Sequence, residues 1–462
     1  MPDYNIENDS QTCHQSKPFP IVAIGASAGG LEAVTELLQN VAGNTGMAFV
    51  YIQHLDRNCE SALVPILQRA TEMKVSVVTE GMIIEQDHLY VIPPDTDMTI
   101  DGHVFTLAKR AHAPIQHSPV NLFFISLAKK KREGVIGIIL SGTASDGALG
   151  MKAIKEAGGI TFAHDESAQF LSMSKSSIGE GIADAVLSPM QMGQELTRLS
   201  KNSSLLTLIP SGDDEEDPQR ESELETTHVE PEDVKKILRV IRTVTGVDFT
   251  HYKQNTIRRR IMRRMLLHRL NTLPEYFDFL KKNAHEANLL YQDLLINITH
   301  FFRDIEATDY LKKEILPELL KTKSANNPLR IWVPACATGE EGYSLAIMLC
   351  ELIGEDPFYK SFQIFATDLS EAAIAKARVG IYSIADVANL SEKRLETFFT
   401  KIDGQFRINK RIKDSCVFAA HNLLKDPPFS RVDLISCCNV LIYLNTVLQR
   451  KLMANFHYAL NK

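Results

Sequence analysis

Pro20-Ile21-Val22-Ala23-Ile24-Gly25-Ala26-Ser27-Ala28-Gly29-Gly30-Leu31 decides the reading of the first half of this 462-residue chain. Ile21 to Ile24 is an apolar, partly β-branched run of the kind buried in a parallel sheet. Helical spacing takes over from Leu31 through Leu37-Leu38. The turn between them spells G-x-S-x-G across Gly25, Ser27 and Gly29. Such a turn lifts a serine hydroxyl above the carboxyl edge of the sheet, beside the free N–H groups of a helix start. Those donors favour negative charge, either a phosphate or the oxyanion of acyl transfer.

A glycine-rich strand-to-helix turn is also the common cradle of a nucleotide phosphate. The dinucleotide pattern, however, wants G-x-G-x-x-G and an acid ending the next strand. Here Ser27 stands where the middle glycine belongs, and the next apolar run, Met47 to Ile52, ends in Gln53-His54. A histidine at that place faces the same crevice as Ser27 and can take its proton, which favours hydrolysis. The strand Gly134 to Leu140 ends in Ser141-Gly142-Thr143-Ala144-Ser145-Asp146-Gly147, and a helix follows. In a parallel α/β sheet these three loops share one edge, so Ser27, His54 and Asp146 can meet as nucleophile, general base and orienting acid. Taken singly, Asp146 reads equally well as a helix cap.

Around this stretch, composition narrows the class. A chain of 462 residues is too long for one core, and 44% hydrophobic with 23% charged residues is ordinary for a soluble protein. A net charge of −7 argues against a chain-wide nucleic-acid role, and no apolar run reaches the length of a membrane span. Seven cysteines without C-x-x-C spacing fit reduced thiols in a cytoplasm, with no zinc site and no disulfide framework. The expected organisation is a disordered lead over 1–17, an α/β domain over 18–198, an acidic linker over 199–230 (Asp213-Asp214-Glu215-Glu216-Asp217), a helical subdomain over 231–310 and a second α/β domain over 311–462. Both α/β domains are expected to be doubly wound, mainly parallel sheets.

The order Ser…His…Asp differs from the Ser…Asp…His of α/β-hydrolases. Ile24 to Gly30, Gln53-His54, Leu140-Ser141-Gly142 through Asp146-Gly147, and Ile178-Gly179 through Ala183-Asp184-Ala185-Val186-Leu187 resemble the CheB family of chemotaxis methylesterases. The resemblance implies hydrolysis of glutamate methyl esters on chemoreceptors, with glutamine deamidation as a second activity, and carries the catalytic triad onto Ser27, His54 and Asp146. The family's receiver domain has no counterpart in the first 17 residues.

Within the helical region, Ile257-Arg258-Arg259-Arg260-Ile261-Met262-Arg263-Arg264-Met265-Leu266-Leu267 places apolar residues on one face and arginines on the other. The charged face is expected to be solvated or to meet an acidic protein surface; without aromatic interleaving, nucleic acid is disfavoured. Further on, the strand Leu329 to Val333 runs into Pro334-Ala335-Cys336-Ala337-Thr338-Gly339-Glu340-Glu341-Gly342 and a helix, and the strand Phe362 to Ala366 ends in Thr367-Asp368. A small-residue turn after one strand and an acid after the next suit a ribose-bearing cofactor, although Asp368 could also cap the Ser-Glu helix start behind it. A third run, Val432 to Ser436, brings Cys437-Cys438-Asn439 and Tyr443 to the same crevice.

These motifs, with Ile296-Asn297-Ile298-Thr299-His300-Phe301-Phe302-Arg303-Asp304 before them, resemble the CheR family of chemotaxis methyltransferases. That resemblance implies S-adenosylmethionine as cofactor, held by Asn297, Thr299, Arg303, Glu341, Asp368, Asn422, Leu423 and Asn439, with Tyr443 near the methyl group. It also implies a small β-subdomain between Asp368 and Asn422. Arg258, Arg259, Arg260, Arg263 and Arg264 would dock the acidic cytoplasmic hairpin of a chemoreceptor at receptor arrays, without membrane insertion. Cys438 stands where the family usually carries arginine and Gly342 where it carries proline. The chain also stops before the family's last strands, as a fragment of a longer sensory protein would. A scaffold with an active esterase half and a non-catalytic methyltransferase half is the competing expectation.

Overall fold

The computed structural model describes residues 19–461 except 55–62, 111–117, 131–133, 144, 180, 202–230, 296–298, 325, 355–361, 384–385, 388 and 403. The lead over 1–17, nearly all of the acidic linker and Asn297 thus lie outside the described residues.

In the first half, chain order runs β1 (Ile21–Ala26), α1 (Gly30–Gln39), β2 (Ala48–Gln53), α2 (Leu63–Gln68), β3 (Lys74–Val77), β4 (His88–Val91), β5 (Thr96–Asp101), β6 (Val104–Lys109), α3 (Pro119–Lys130), β7 (Val135–Ile139), α4 (Ala148–Glu156), β8 (Ile160–His164), α5 (Ser172–Gly179), β9 (Ala185–Leu187) and α6 (Pro189–Ser200). Seven strands form one sheet in the order β3-β4-β2-β1-β7-β8-β9, and every pairing is parallel. β1 and β7 are buried on both faces, which is why their sequences are continuous apolar runs rather than alternating ones. One face packs on α1 and α6 through residues such as Leu37 and Leu196. The other packs on α3, α4 and α5 through Phe123, Met151 and Met173. Because β1 lies between β2 and β7, the loops after these three strands open side by side.

The second half starts with four helices, Pro231–Thr245, Gln254–Leu267, Leu273–Lys282 and Ala284–Leu294, packed around Ile237, Ile261, Tyr276 and Leu290. The α/β domain that follows contains β10 (Leu329–Pro334), β11 (Phe362–Asp368), β12 (Ile381–Tyr382), β13 (Phe399–Ile402), β14 (Gln405–Ile408), β15 (Cys416–Ala420) and β16 (Leu434–Ile435). Its main sheet is β15-β11-β10-β16, all parallel, and β12-β14-β13 form a separate antiparallel sheet. Two α/β domains, a helical subdomain and a small β-subdomain are therefore present as expected. Among the described residues no helix is long and apolar enough to cross a membrane.

The arginine helix departs from expectation. Ile257, Ile261 and Met265 do enter the core of the helical subdomain. Most of the opposite face is not solvated: Arg263 is 0% exposed, Arg260 3% and Arg264 8%, while Arg258 and Arg259 are half-buried. Arg260 donates to the carbonyls of Lys155 (2.8 Å) and Glu156 at the C-terminus of α4, and Arg263 donates to Gly159 O (2.9 Å). Arg263 is ion-paired with Asp184 and with Asp293 (2.6 Å). Arg264 is engaged by Glu286, which also accepts from Tyr276 Oη (2.7 Å) and contacts His268 Nε2 (2.6 Å). Burial alone would raise the Glu286 carboxyl, but His268, Arg264 and Tyr276 hold it down at about 2. The helix is thus wedged between two folded bodies. A face of arginines reads as solvated in a sequence because the carbonyls that satisfy Arg260 and Arg263 lie about a hundred residues away and the carboxylates Asp293 and Glu286 on another helix.

Candidate functional site

The first site forms where the β1, β2 and β7 loops meet. Ser27 follows β1 directly, and its N–H donates to Ser141 O at the end of β7 (3.0 Å). Gly29 caps α1 from the left-handed region at φ 70°, which lets the chain turn sharply enough to present Ser27. A β-carbon on Gly29 would lie 2.6 Å from Gln169 Oε1 and 2.8 Å from Ser141 Oγ. Gly46 has nearly the same φ, 67°, with nothing within 4 Å. Both alanine variants carry the left-handed penalty of roughly 1–2 kcal/mol. Gly29→Ala is expected to melt lower than Gly46→Ala; equal melting temperatures would remove the crowding argument.

His54 ends β2, and its Nε2 lies 2.7 Å from Asp146 Oδ2. Asp146 is 3% exposed and accepts two further bonds at the start of α3, Oδ2 from Val120 N and Oδ1 from Asn121 N, each 3.0 Å. The first N–H groups of α3 thus fix the position of the Asp146 side chain. Asn121 answers in the other direction, its Oδ1 accepting from Gly147 N (3.0 Å) and Gly150 N (2.9 Å) at the start of α4. Two helix starts thereby lock the loop that carries Asp146. Ser141 Oγ donates to Ala28 O (2.8 Å) and accepts from Phe170 N (3.0 Å), joining the serine turn to the β8–α5 loop. Asn121 and Ser141 were not singled out as site residues, because a lone Asn or Ser gives no signal until its distant partners are known.

The second site is a cavity of about 280 Å³ between the helical subdomain and the carboxyl edge of the β10–β11 sheet. Arg303, Asp368, Asn422, Leu423, Asn439 and Tyr443 line it. Thr299 and Glu341 line a smaller neighbour of about 110 Å³, which shares Arg303, Ala335, Cys438 and Asn439 with the first. Eight of the nine expected cofactor residues therefore border one continuous region, and the ninth, Asn297, is outside the described residues.

Asp368 Oδ2 accepts from Ala337 N and Oδ1 from Ser370 N, both 2.8 Å. Burial raises its pKa against the pull of these N–H groups. A carboxylate offers about four lone-pair sites, and with Ser370, Ala337 and Leu369 N–H already on it Asp368 keeps room for a ligand hydroxyl. Ala335 (φ 57°), Ala337 (φ 48°) and Asn439 (φ 56°) all lie in the left-handed region around the cavity; strain of this kind in non-glycine residues collects at ligand sites. Glu341 accepts from Ser436 Oγ (2.5 Å), and burial raises its carboxyl while bonds from Ser436 and Cys438 oppose the shift. Cys438 therefore faces Glu341, with its thiol pushed up to about 12 by burial and by that carboxylate. The side chain of Asn422 is partly used locally, its Oδ1 accepting from Leu424 N (3.0 Å) and Lys425 N (3.2 Å). Phe249, Tyr252 and Thr256, on the helical subdomain, also line the cavity; only the packing of that subdomain onto the sheet brings them there.

Family comparisons follow this division. Residues 22–196 match the model of CheB methylesterase. Residues 232–295 match the CheR methyltransferase all-alpha domain, and 297–462 its SAM binding domain. A chemotaxis protein methyltransferase of Listeria monocytogenes is 35% identical over 205 residues, covering 44% of this chain and 76% of that protein. An uncharacterized 104.1 kDa protein of Rhodobacter capsulatus is 32% identical over 406 residues; the match takes in 86% of this chain but 42% of that protein, so the chain spans less than half of this relative's length. The crystal structure of the Thermotoga maritima CheB methylesterase catalytic domain is similar at 26% identity, covering 39% of this chain and 99% of that one at a TM-score of 0.37. The chain therefore belongs to the CheR chemotaxis methyltransferase family and carries, in the same polypeptide, a CheB methylesterase domain.

Proposed function

We propose that the chain sets the methylation level of chemoreceptor glutamates in both directions, at receptor arrays on the cytoplasmic side. The contact between His54 Nε2 and Asp146 Oδ2, at 2.7 Å beside the Ser27 turn, carries the esterase half of this reading. With Nε2 held by Asp146, Nδ1 is the ring nitrogen that takes the Ser27 proton. Ser27 Oγ attacks the glutamyl ester carbonyl, and N–H groups at the start of α1 other than that of Gly30, which donates to Ser27 O (3.0 Å), hold the oxyanion. The proton on His54 passes to the departing methoxide, giving methanol. Water, deprotonated by His54 in turn, releases the acyl-enzyme. On a glutamine side chain the same steps expel ammonia.

In the methyltransferase half, the cavity bordered by Asp368, Arg303 and Glu341 fits S-adenosylmethionine, with Asp368 accepting from ribose hydroxyls and Arg303 facing an anionic group. When bound, that cofactor supplies an electrophilic methyl group on sulfur. A receptor glutamate is already ionised at pH 7, so the chain needs no strong base, and positioning by Asn439 and Tyr443 is its main contribution.

The test uses purified chain, chemoreceptor signalling-domain membranes and methyl-labelled S-adenosylmethionine, following protein-bound label and volatile methanol together. Label is expected to build up further with Ser27→Ala and to vanish with Asp368→Ala. No label with any variant would sink methyl transfer. No methanol from pre-methylated receptor would sink ester hydrolysis.

A further inference from the structure

The methylesterase domain occupies the surface that the arginine helix was expected to offer to a receptor. On one side of the contact are Arg260 and Arg263, buried against the C-terminal carbonyls of α4, Gly159 O and Asp184. Carbonyls at a helix C-terminus attract cations, and Asp184 gives Arg263 a full charge partner, with Lys155 Nζ also 3.0 Å from Asp184 Oδ1. Leu266, from the same helix, is 1% exposed and belongs to the hydrophobic core of the esterase domain. Arg198 of α6 donates to Leu266 O (2.8 Å), and Glu195 lies 3.3 Å from Arg269 at the rim. Further along, Lys152 of α4 reaches Asp386 of the methyltransferase domain at 4.0 Å. Apolar burial, backbone capping and ion pairs thus all join the same two bodies.

We infer that the methylesterase domain is the resident partner of the arginine helix and excludes an acidic helical hairpin from it, so that such a hairpin docks there only when the two domains part. The inference rests on the proposed reading of the hairpin as a receptor substrate. The contact itself stands on geometry alone. α4 carries Asp146 just before its first turn and the carbonyls clamped by Arg260 in its last, so one helix ends at the esterase site and at the clamp.

Arginine footprinting of the full chain with a dicarbonyl reagent, read by mass spectrometry, tests the contact. Arg260 and Arg263 are expected to react at least tenfold more slowly than Arg242, whose side chain is 64% exposed. Equal rates would overturn the clamp. A labelled chemoreceptor hairpin fragment then serves as the probe. Its binding is compared for the natural chain and for Glu195→Lys with Lys152→Glu, which reverses from the esterase side one contact at the rim and one on the buried Asp386 and leaves every helix arginine in place. The reversed chain is expected to expose Arg260 and Arg263 and to bind at least tenfold more tightly. Binding by either chain while both arginines stay protected would overturn the exclusion, as would failure of an exposed chain to bind more tightly. Loss of label transfer with binding intact would count against the methyltransferase reading and leave the clamp untouched.

Discussion

Asp146→Asn is expected to lower the turnover of ester hydrolysis by about 10⁴-fold, the size seen when a buried triad carboxylate becomes an amide. Three donors converge on this carboxylate: His54 Nε2, Val120 N and Asn121 N. An amide has one acceptor oxygen, so its NH₂ takes either the Oδ2 place, facing the imidazole and Val120 N together, or the Oδ1 place, facing Asn121 N. Facing the imidazole, it forces Nε2 to accept and leaves the proton on Nδ1, where the serine proton would have to go. Facing the helix, it sets donor against donor and costs about 1–3 kcal/mol of stability. Ser27→Ala separates the two effects, since it removes the nucleophile without touching the helix starts. Methanol release from methylated receptor, compared across both variants and paired with melting curves, is the measurement. An Asp146→Asn protein that kept a tenth of the natural turnover would show that Asp146 serves the loop and not the imidazole.

The largest stability effect is expected at Arg263. Arg263→Ala should cost about 3–5 kcal/mol, because it takes from two buried carboxylates the cation they share. Asp184 is 1% exposed at its side chain and Asp293 12%. Burial pushes the Asp184 carboxyl up, and Arg263 with Lys155 outweighs it and holds the group ionised. Removing only the cation reverses that balance. Arg263→Met together with Asp184→Asn should recover part of the loss, since a neutral pair avoids the desolvation of both charges. Denaturant unfolding of the single and double variants measures the coupling; additive losses would mean that Asp184 is held by Lys155 and Thr161 without Arg263.

The two α/β halves, and the shared sheet edge that carries Ser27, His54 and Asp146, are legible in the sequence because each is written in local signals. Ser27 and His54 directly follow apolar runs and Asp146 lies in the loop after a third, and in a parallel sheet the ends of neighbouring strands must share an edge. Asp368 after β11 and the small-residue turn after β10 obey the same rule. Asn121 was invisible, since its importance lies in accepting from Gly147 and Gly150 on another helix. So was the share of Phe249, Tyr252 and Thr256 in the cofactor cavity, which depends on how the helical subdomain lies against the sheet.

The arginine helix marks the boundary between the two kinds of information. Its amphipathic period and its apolar face were readable, because a 3.6-residue repeat is a property of the chain itself. Which way the charged face points was not, because an arginine is equally at ease in water and against a set of buried acceptors that satisfy it. Lys155 O, Glu156 O, Gly159 O and Asp184 supply those acceptors from the other domain, roughly a hundred residues earlier in the chain. Local pattern thus specified the helices, the strands and the residues at strand ends, whereas only the docking of one domain on the other decided that Arg260 and Arg263 face protein instead of solvent.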